Sequence, residues 1–352
     1  MPKLTPKENY LRLAKGELPE WIPGGMPYKD HGFPNAMAGP LTMWVGQSEL
    51  RPQWSQPKGY WKDLWGANYV WPEGDMAGLP DPNDFALKDI TKWRDIIKAP
   101  PVPAFDWEAM AKQELAPFNR EQTAISIALG FQPFQQIVAL MGFNETLIAL
   151  YEEPELVKEM LNYMADWYVP IIQKIVDHYR PDMCAIADDT AAKDFPFFSP
   201  EIYEDIFKPI YTRVSKPVTE TGAPIDFHNC GKCEAFVGHM IDFGVRYWNP
   251  AQSENDLDGL KKKYGNKIAI CGGWDTKLPI TATEEQSREA VRAYIDRFAP
   301  GGGFVYSAFV GTFSFGKELS EEEKKEQEFW QRINGWMADE LYEYGSNYYD
   351  KH

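Results

Sequence analysis

His228 and Cys230 stand two residues apart at the end of a short apolar run, Pro224 to Phe227 (PIDF). Successive side chains alternate along an extended backbone, so these two leave the chain on the same side and can chelate one ion. Imidazole with thiolate is soft enough to select zinc over magnesium or calcium. A third donor is expected from a neighbouring strand end. Cys271 closes the run Ile268 to Cys271 (IAIC) and is the first choice. Cys233 competes, since Cys230-Gly231-Lys232-Cys233 is formally a C-x2-C. No second cysteine pair follows, however, and Cys233 falls where the next helix should begin. His228, Cys230 and Cys271 would form an open zinc site, with the fourth position left for substrate. Cys184, inside another apolar run, reads as a small buried hydrophobe.

Asp188 and Asp189 directly follow the run Met183 to Ala187 (MCAIA). A carboxylate pair at a strand end can act as acid or base, hold a substrate hydroxyl, or complete a metal shell. Either could instead cap the following helix, and Asp226 and Asp275 carry the same ambiguity. Trp248, Trp274, Tyr306 and Phe309, with Phe313 nearby, gather around further strand ends and suggest a pocket for an apolar or aromatic ligand. The glycines Gly301 to Gly303 precede a strand, and no GK[ST] follows, so they are not a phosphate cradle. His31 stands alone in the N-terminal region.

The elements that must position these residues are legible from about Thr123 onward, where short apolar runs alternate with longer segments of helical period. The strand candidates are Thr123–Leu129, Met183–Ala187, Pro224–Phe227, Val245–Trp248, Ile268–Cys271 and Phe304–Ser307. Ser199-Pro200-Glu201 and Thr283-Glu284-Glu285 open two of the helices, and an acidic turn opens a long helix over Ser320 to Tyr344. Strand alternating with helix predicts a parallel sheet closed as a (β/α)8 TIM barrel, whose chemistry sits at the C-terminal ends of its strands. Two of the eight strands are not located, although Leu41 to Val45 could supply one. Trp21 to Trp71 holds six of the 13 tryptophans among Pro and Gly and reads as irregular cover. The expectation is therefore one domain, 1–352, with 1–80 as an N-terminal extension capping the barrel mouth. The end of the chain, from Tyr348, reads as frayed.

Composition excludes several classes. The chain of 352 residues is 44% hydrophobic, enough for a large core. With 36 basic against 52 acidic residues the net charge is -16, which disfavours nucleic acid and anionic membrane surfaces. The polar N-terminus, the lack of an eighteen-residue apolar stretch and the four cysteines read as a cytoplasmic protein without a disulfide framework.

Taken in order, several segments resemble the uroporphyrinogen decarboxylase superfamily, particularly its methyltransferase branch. They are Leu87 to Trp107, Leu140 to Glu145 with Glu153-Pro154-Glu155, Ala187 to Thr190 leading to Phe198-Ser199-Pro200, His228 to Gly231, Cys271 to Asp275, and Gly303-Phe304-Val305. Decarboxylases of the superfamily hold their polycarboxylate substrate with arginines near the N-terminus. Ile22 to Gly39 contains none, which argues against uroporphyrinogen as substrate. The resemblance to the methyltransferases implies a zinc site containing the H-x-C pair and methyl transfer to or from a corrinoid protein or a thiol. Members acting on coenzyme M take another cysteine from the last strand, but Tyr306 to Val310 has none. The aromatic residues and the acidic chain are similar to O-demethylases of this branch. The implied function is then a zinc-dependent methyltransferase that demethylates a small methoxylated aromatic substrate and passes the methyl to cobalt(I) of a separate corrinoid (cobalamin) protein. Two alternatives stay open: a decarboxylase or lyase acting through Asp188 and Asp189, and a non-catalytic protein binding a corrinoid or an aromatic ligand.

Overall fold

The computed structural model describes residues 4–24, 37–42, 59–71, 78–102, 104–311 and 319–352. His31, Phe313, Trp44 and Trp54 lie outside the described residues. The chain is α/β and divides into two units. A central unit comprises residues 39–118 and 125–245, and a terminal unit comprises 1–38, 119–124 and 246–352.

Strand β1 spans Met37–Thr42. In the central unit, β2 (Tyr60–Lys62), β3 (Asn68–Val70) and β4 (Leu79–Pro80) form a small antiparallel sheet, with Trp61 opposite Tyr69 and Val70 opposite Leu79. This corrects the expectation of irregular structure before Trp71. Strands of two or three residues are too short to show a period, and a side chain sets the turn between β2 and β3. Asp63 Oδ1 accepts the backbone N–H groups of Trp65 and Ala67 at 2.9 and 2.8 Å, an Asx-type turn. Its Oδ2 accepts from Gln136 Nε2 at 2.7 Å, which ties the turn to the helix Pro133–Met141. Trp65 is buried and donates its indole N–H to the Tyr168 hydroxyl at 3.2 Å.

The parallel strands of this unit are β5 (Ala124–Ala128), β6 (Met183–Ala187) and β7 (Ile225–His228). Ala128 pairs with Ala185, Ala185 with Asp226, and Ala187 with His228, so the residues after β6 and β7 emerge level with each other. The helices that follow β5 and β6 start at proline, where a missing N–H costs nothing: Pro133–Met141 after β5 and Pro200–Ile202 after β6, the latter capped by Ser199. That second helix passes through one π turn, Tyr203–Phe207, before continuing to Thr219. One face of β7 packs under it, as Phe227 meets Tyr211 and Phe243 edge to face at 5.3 and 5.7 Å. The residues of β7 that alternate with Phe227, Asp226 and His228, therefore face away from these helices.

In the terminal unit, β8 (Val245–Ala251), β9 (Ala269–Gly272) and β10 (Phe304–Val305) are also parallel, with Trp248 beside Ile270 and Cys271 beside Val305. The N-terminal segment joins them, as Tyr10 stacks on Tyr247 and Tyr306 N–H donates to Pro23 O at 2.8 Å. The helix Glu284–Phe298 opens with a capping box between Thr283 and Gln286, and the helix Glu321–Gly345 with one between Ser320 and Glu323. Buried Glu340 joins these helices by accepting from Arg288 and Arg292, each at 3.0 Å. The last residues are not frayed: Tyr348–Lys351 form a helical turn, and Tyr348 is buried against the His352 ring at 4.4 Å. All six parallel strands are followed by a helix, the order expected of a (β/α)8 barrel. Among the described residues no helix is long and apolar enough to cross a membrane.

Candidate metal centre

Two tripeptides leave neighbouring strand ends: Asp188-Asp189-Thr190 after β6, and His228-Asn229-Cys230 from the end of β7. The strand alternation persists through both. Asp189, His228 and Cys230 are partly exposed, while Asp188, Thr190 and Asn229 are buried. The partly exposed three offer ligand atoms within 4.8 Å of one another, and among the described residues they are the metal-capable group that forms. His228 Nε2 lies 3.4 Å from Cys230 Sγ and 4.0 Å from Asp189 Oδ1. The His228 and Asp189 side chains are 44% and 36% exposed, so an ion or substrate can reach them.

The donor set fits a divalent ion of zinc type, with one imidazole, one thiol and one carboxylate converging on a common point. The electrostatics agree. Burial, with the Asp189 carboxylate adding to it, pushes the Cys230 thiol up to about 12. A thiol and a carboxylate so close are mutually unfavourable as anions, and a bound cation reverses that balance.

The buried residues hold the frame. Asp188 accepts from the backbone N–H of Phe134 and Gln135 at 2.8 and 2.9 Å, at the start of the helix Pro133–Met141, and from the Tyr211 hydroxyl at 2.7 Å. Burial pushes its carboxyl up to about 7 against the pull of these donors. Its own N–H donates to His228 O at 3.0 Å, extending the β6–β7 ladder by one bond.

Of the residues anticipated as metal ligands, the structure brings together His228 and Cys230 and adds Asp189. Cys271 is not in that group. It lies on β9 in the terminal unit, buried, with its thiol directed to Ala269 O at 3.7 Å. Cys233 is buried, 3.5 Å from Asn229 O, and Cys184 is buried on β6, where desolvation raises its pKa. Trp248, Trp274, Tyr306 and Phe309 all belong to the terminal unit. Trp248 and Tyr306 are buried, and Phe309 is exposed. Trp274 and Tyr306 both pack edge-on against Tyr294, at 5.3 and 5.4 Å, an aromatic that the strand-end pattern did not single out. Asp275 pairs with Arg297 at 2.9 Å.

Of the holding residues, Thr190 and Asn229 lie within two of the family-like segments without a role assigned to them, and Tyr211 lies in none. The signal that could have found Asn229 and Thr190 is the alternation itself, since residues next to outward-facing ones on a strand end point inward; Tyr211 stands on a helix, where no such signal applies.

A family model described as uroporphyrinogen decarboxylase (URO-D) matches residues 66–312. Among solved structures, a methyltransferase from Methanosarcina mazei shares the fold with a TM-score of 0.53 at 15% sequence identity, over 84% of this chain and 91% of that one. No curated protein matches the chain.

Proposed function

Because the chain belongs to the uroporphyrinogen decarboxylase (URO-D) family, whose fold is the (β/α)8 TIM barrel, we propose that it is a zinc-dependent methyltransferase. It would demethylate a small methoxylated aromatic substrate and pass the methyl group to cobalt(I) of a corrinoid on a separate protein. The observation that carries this reading is the convergence of Asp189, His228 and Cys230 within 4.8 Å at the ends of two adjacent parallel strands. The printed name of the Methanosarcina mazei neighbour, a methyltransferase, supports the reaction class.

An aryl methyl ether resists cleavage because phenolate leaves poorly, so charge developing on the ether oxygen must be stabilised. Zinc supplies that as a Lewis acid when bound. In this chain His228, Cys230 and Asp189 would hold the ion, and Asp188 ties the end of β6 to the helix Pro133–Met141 and to Tyr211. Asp226 to Gly231 formally spells D-x-H-x-x-G, a corrinoid-binding spacing. Its histidine stands 3.4 Å from the Cys230 sulfur, within the ligand cluster, so the corrinoid is assigned to a partner. A lyase reading would draw on Asp188 and Asp189, but both oxygens of Asp188 are engaged by protein donors, and Asp189 stands within the His228–Cys230 cluster. That favours the metal reading.

The test is to mix the zinc-loaded protein with a cobalt(I) corrinoid protein and a panel of methoxyphenols. The expected result is the methylcobalamin spectrum with release of free phenol. Silence across a broad panel of methyl donors, with zinc bound, removes the demethylase reading.

A further inference from the structure

Asn229 and Thr190 are both buried, and each sits directly beside ligand residues: Thr190 follows Asp189, and Asn229 separates His228 from Cys230. They are joined by three hydrogen bonds. Asn229 Oδ1 accepts from the Thr190 backbone N–H at 3.0 Å and from its hydroxyl at 3.2 Å. Asn229 Nδ2 donates to Thr190 Oγ1 at 2.8 Å. Further bonds close the same seam. Cys230 N–H donates to Asp189 Oδ1 at 2.8 Å, and Lys232 N–H donates to Ala192 O at 2.8 Å. Gly231 lies so close that a Cβ there would stand 2.5 Å from the carbonyl oxygens of Ala191 and Ala192.

We propose that Thr190 and Asn229 are positioning residues, a latch that holds the two strand ends in the register where Asp189, His228 and Cys230 converge before any ion arrives. The inference rests on the metal reading above and deepens it. The side chains of the latch bond to each other and are buried. What it fixes is the backbone on either side. A small rotation at Thr190 swings Asp189, and one at Asn229 swings His228 and Cys230 in opposite senses, because they flank it. Ligands held in place by such outer partners bind their ion without ordering the chain first, and loss of an outer partner typically weakens binding about 10- to 100-fold.

The experiment uses the full chain with Co(II) as probe. Co(II) is titrated while the thiolate-to-cobalt absorption and the ligand-field bands are followed, and affinity is fixed by competition with a chromophoric chelator. Thr190→Val keeps the shape and removes the hydroxyl, whereas Thr190→Ser keeps the hydroxyl. Thr190→Val is expected to weaken Co(II) binding about 10- to 100-fold and to alter the ligand-field bands. Thr190→Ser is expected to restore both to near wild type. A role confined to loop packing would lower the unfolding midpoint and leave affinity and bands unchanged, and that result overturns the latch. If Thr190→Val does not fold, Asn229→Gln, which displaces the amide by one methylene, is read by the same criteria. A wild-type chain that shows no cobalt–thiolate band overturns the metal reading itself, and the latch with it. A normal band that Thr190→Val leaves untouched overturns the latch alone.

Discussion

Asp189 accepts the backbone N–H of Cys230 through Oδ1 at 2.8 Å, so a carboxylate at one strand end is oriented by the backbone of a thiol-bearing residue at the next. Charge and orientation can be separated by substitution. Asp189→Asn keeps an oxygen to accept that N–H but loses the negative charge, and Asp189→Ala loses both. Zinc affinity, measured by chelator competition, is expected to fall in both variants, by at least ~100-fold for alanine. Unchanged affinity in the alanine variant removes Asp189 from the ligand set.

The two cysteines that compete for the ion are distinguished by metal content. Cys230 stands 3.4 Å from His228 Nε2, whereas the Cys271 thiol is directed to a carbonyl of its own strand. Cys271→Ser is expected to retain one zinc per chain by elemental analysis, and Cys230→Ser to lose it. The opposite pattern would make Cys271 the ligand and leave Cys230 as packing.

Gly231 adopts φ +84°, and a Cβ there would meet two carbonyl oxygens at 2.5 Å. Gly231→Ala therefore combines backbone strain with overlap against backbone that cannot swing aside. The expected loss in unfolding free energy is about 2 to 4 kcal/mol, read by urea denaturation of the metal-free chain. A loss within error of zero would mean that the two strand-end loops separate freely.

Lys261 donates to Gly302 O at 2.5 Å, and burial pulls its pKa from 10.5 down to about 8. Between those values the folded chain holds fewer protons than the unfolded chain, so this group's contribution to stability rises with pH. Below pH 8 the cost of the buried charge is fully present. Lys261→Met removes the titration. The urea midpoint of the wild type is expected to gain on that of the variant between pH 8 and roughly pH 10. A constant difference across that window contradicts a depressed lysine.

The parallel strands were legible because each is an apolar run of ordinary length closed by polar or glycine residues. Met183–Ala187 is found with its predicted bounds, and Val245 onward continues three residues past Trp248 to Ala251. Asp63 and the short strands on either side of it were not legible, because a turn made by one carboxylate leaves no periodic trace. His228 and Cys230 were legible as a pair, since i and i+2 on one strand is a local relation. Asp189 was visible as a carboxylate near the site. Its choice over Cys271 depends on Ala187 pairing with His228, a register between strands about forty residues apart that no local pattern encodes. Nor could the sequence assign Asp188, whose donors come from a helix start more than fifty residues upstream and from Tyr211.

Alternation along the two strand ends turns Asp189, His228 and Cys230 outward and Asp188, Thr190 and Asn229 inward, and the Asp189 side chain also accepts a backbone bond across the seam. On the proposed metal reading, substitution at His228 or Cys230 changes donor chemistry while the Thr190–Asn229 bonds stay in place. On that reading a lineage built on this scaffold has short mutational routes between ions of different hardness, through positions 228 and 230. Selection acting on those two positions can then retune the preferred ion.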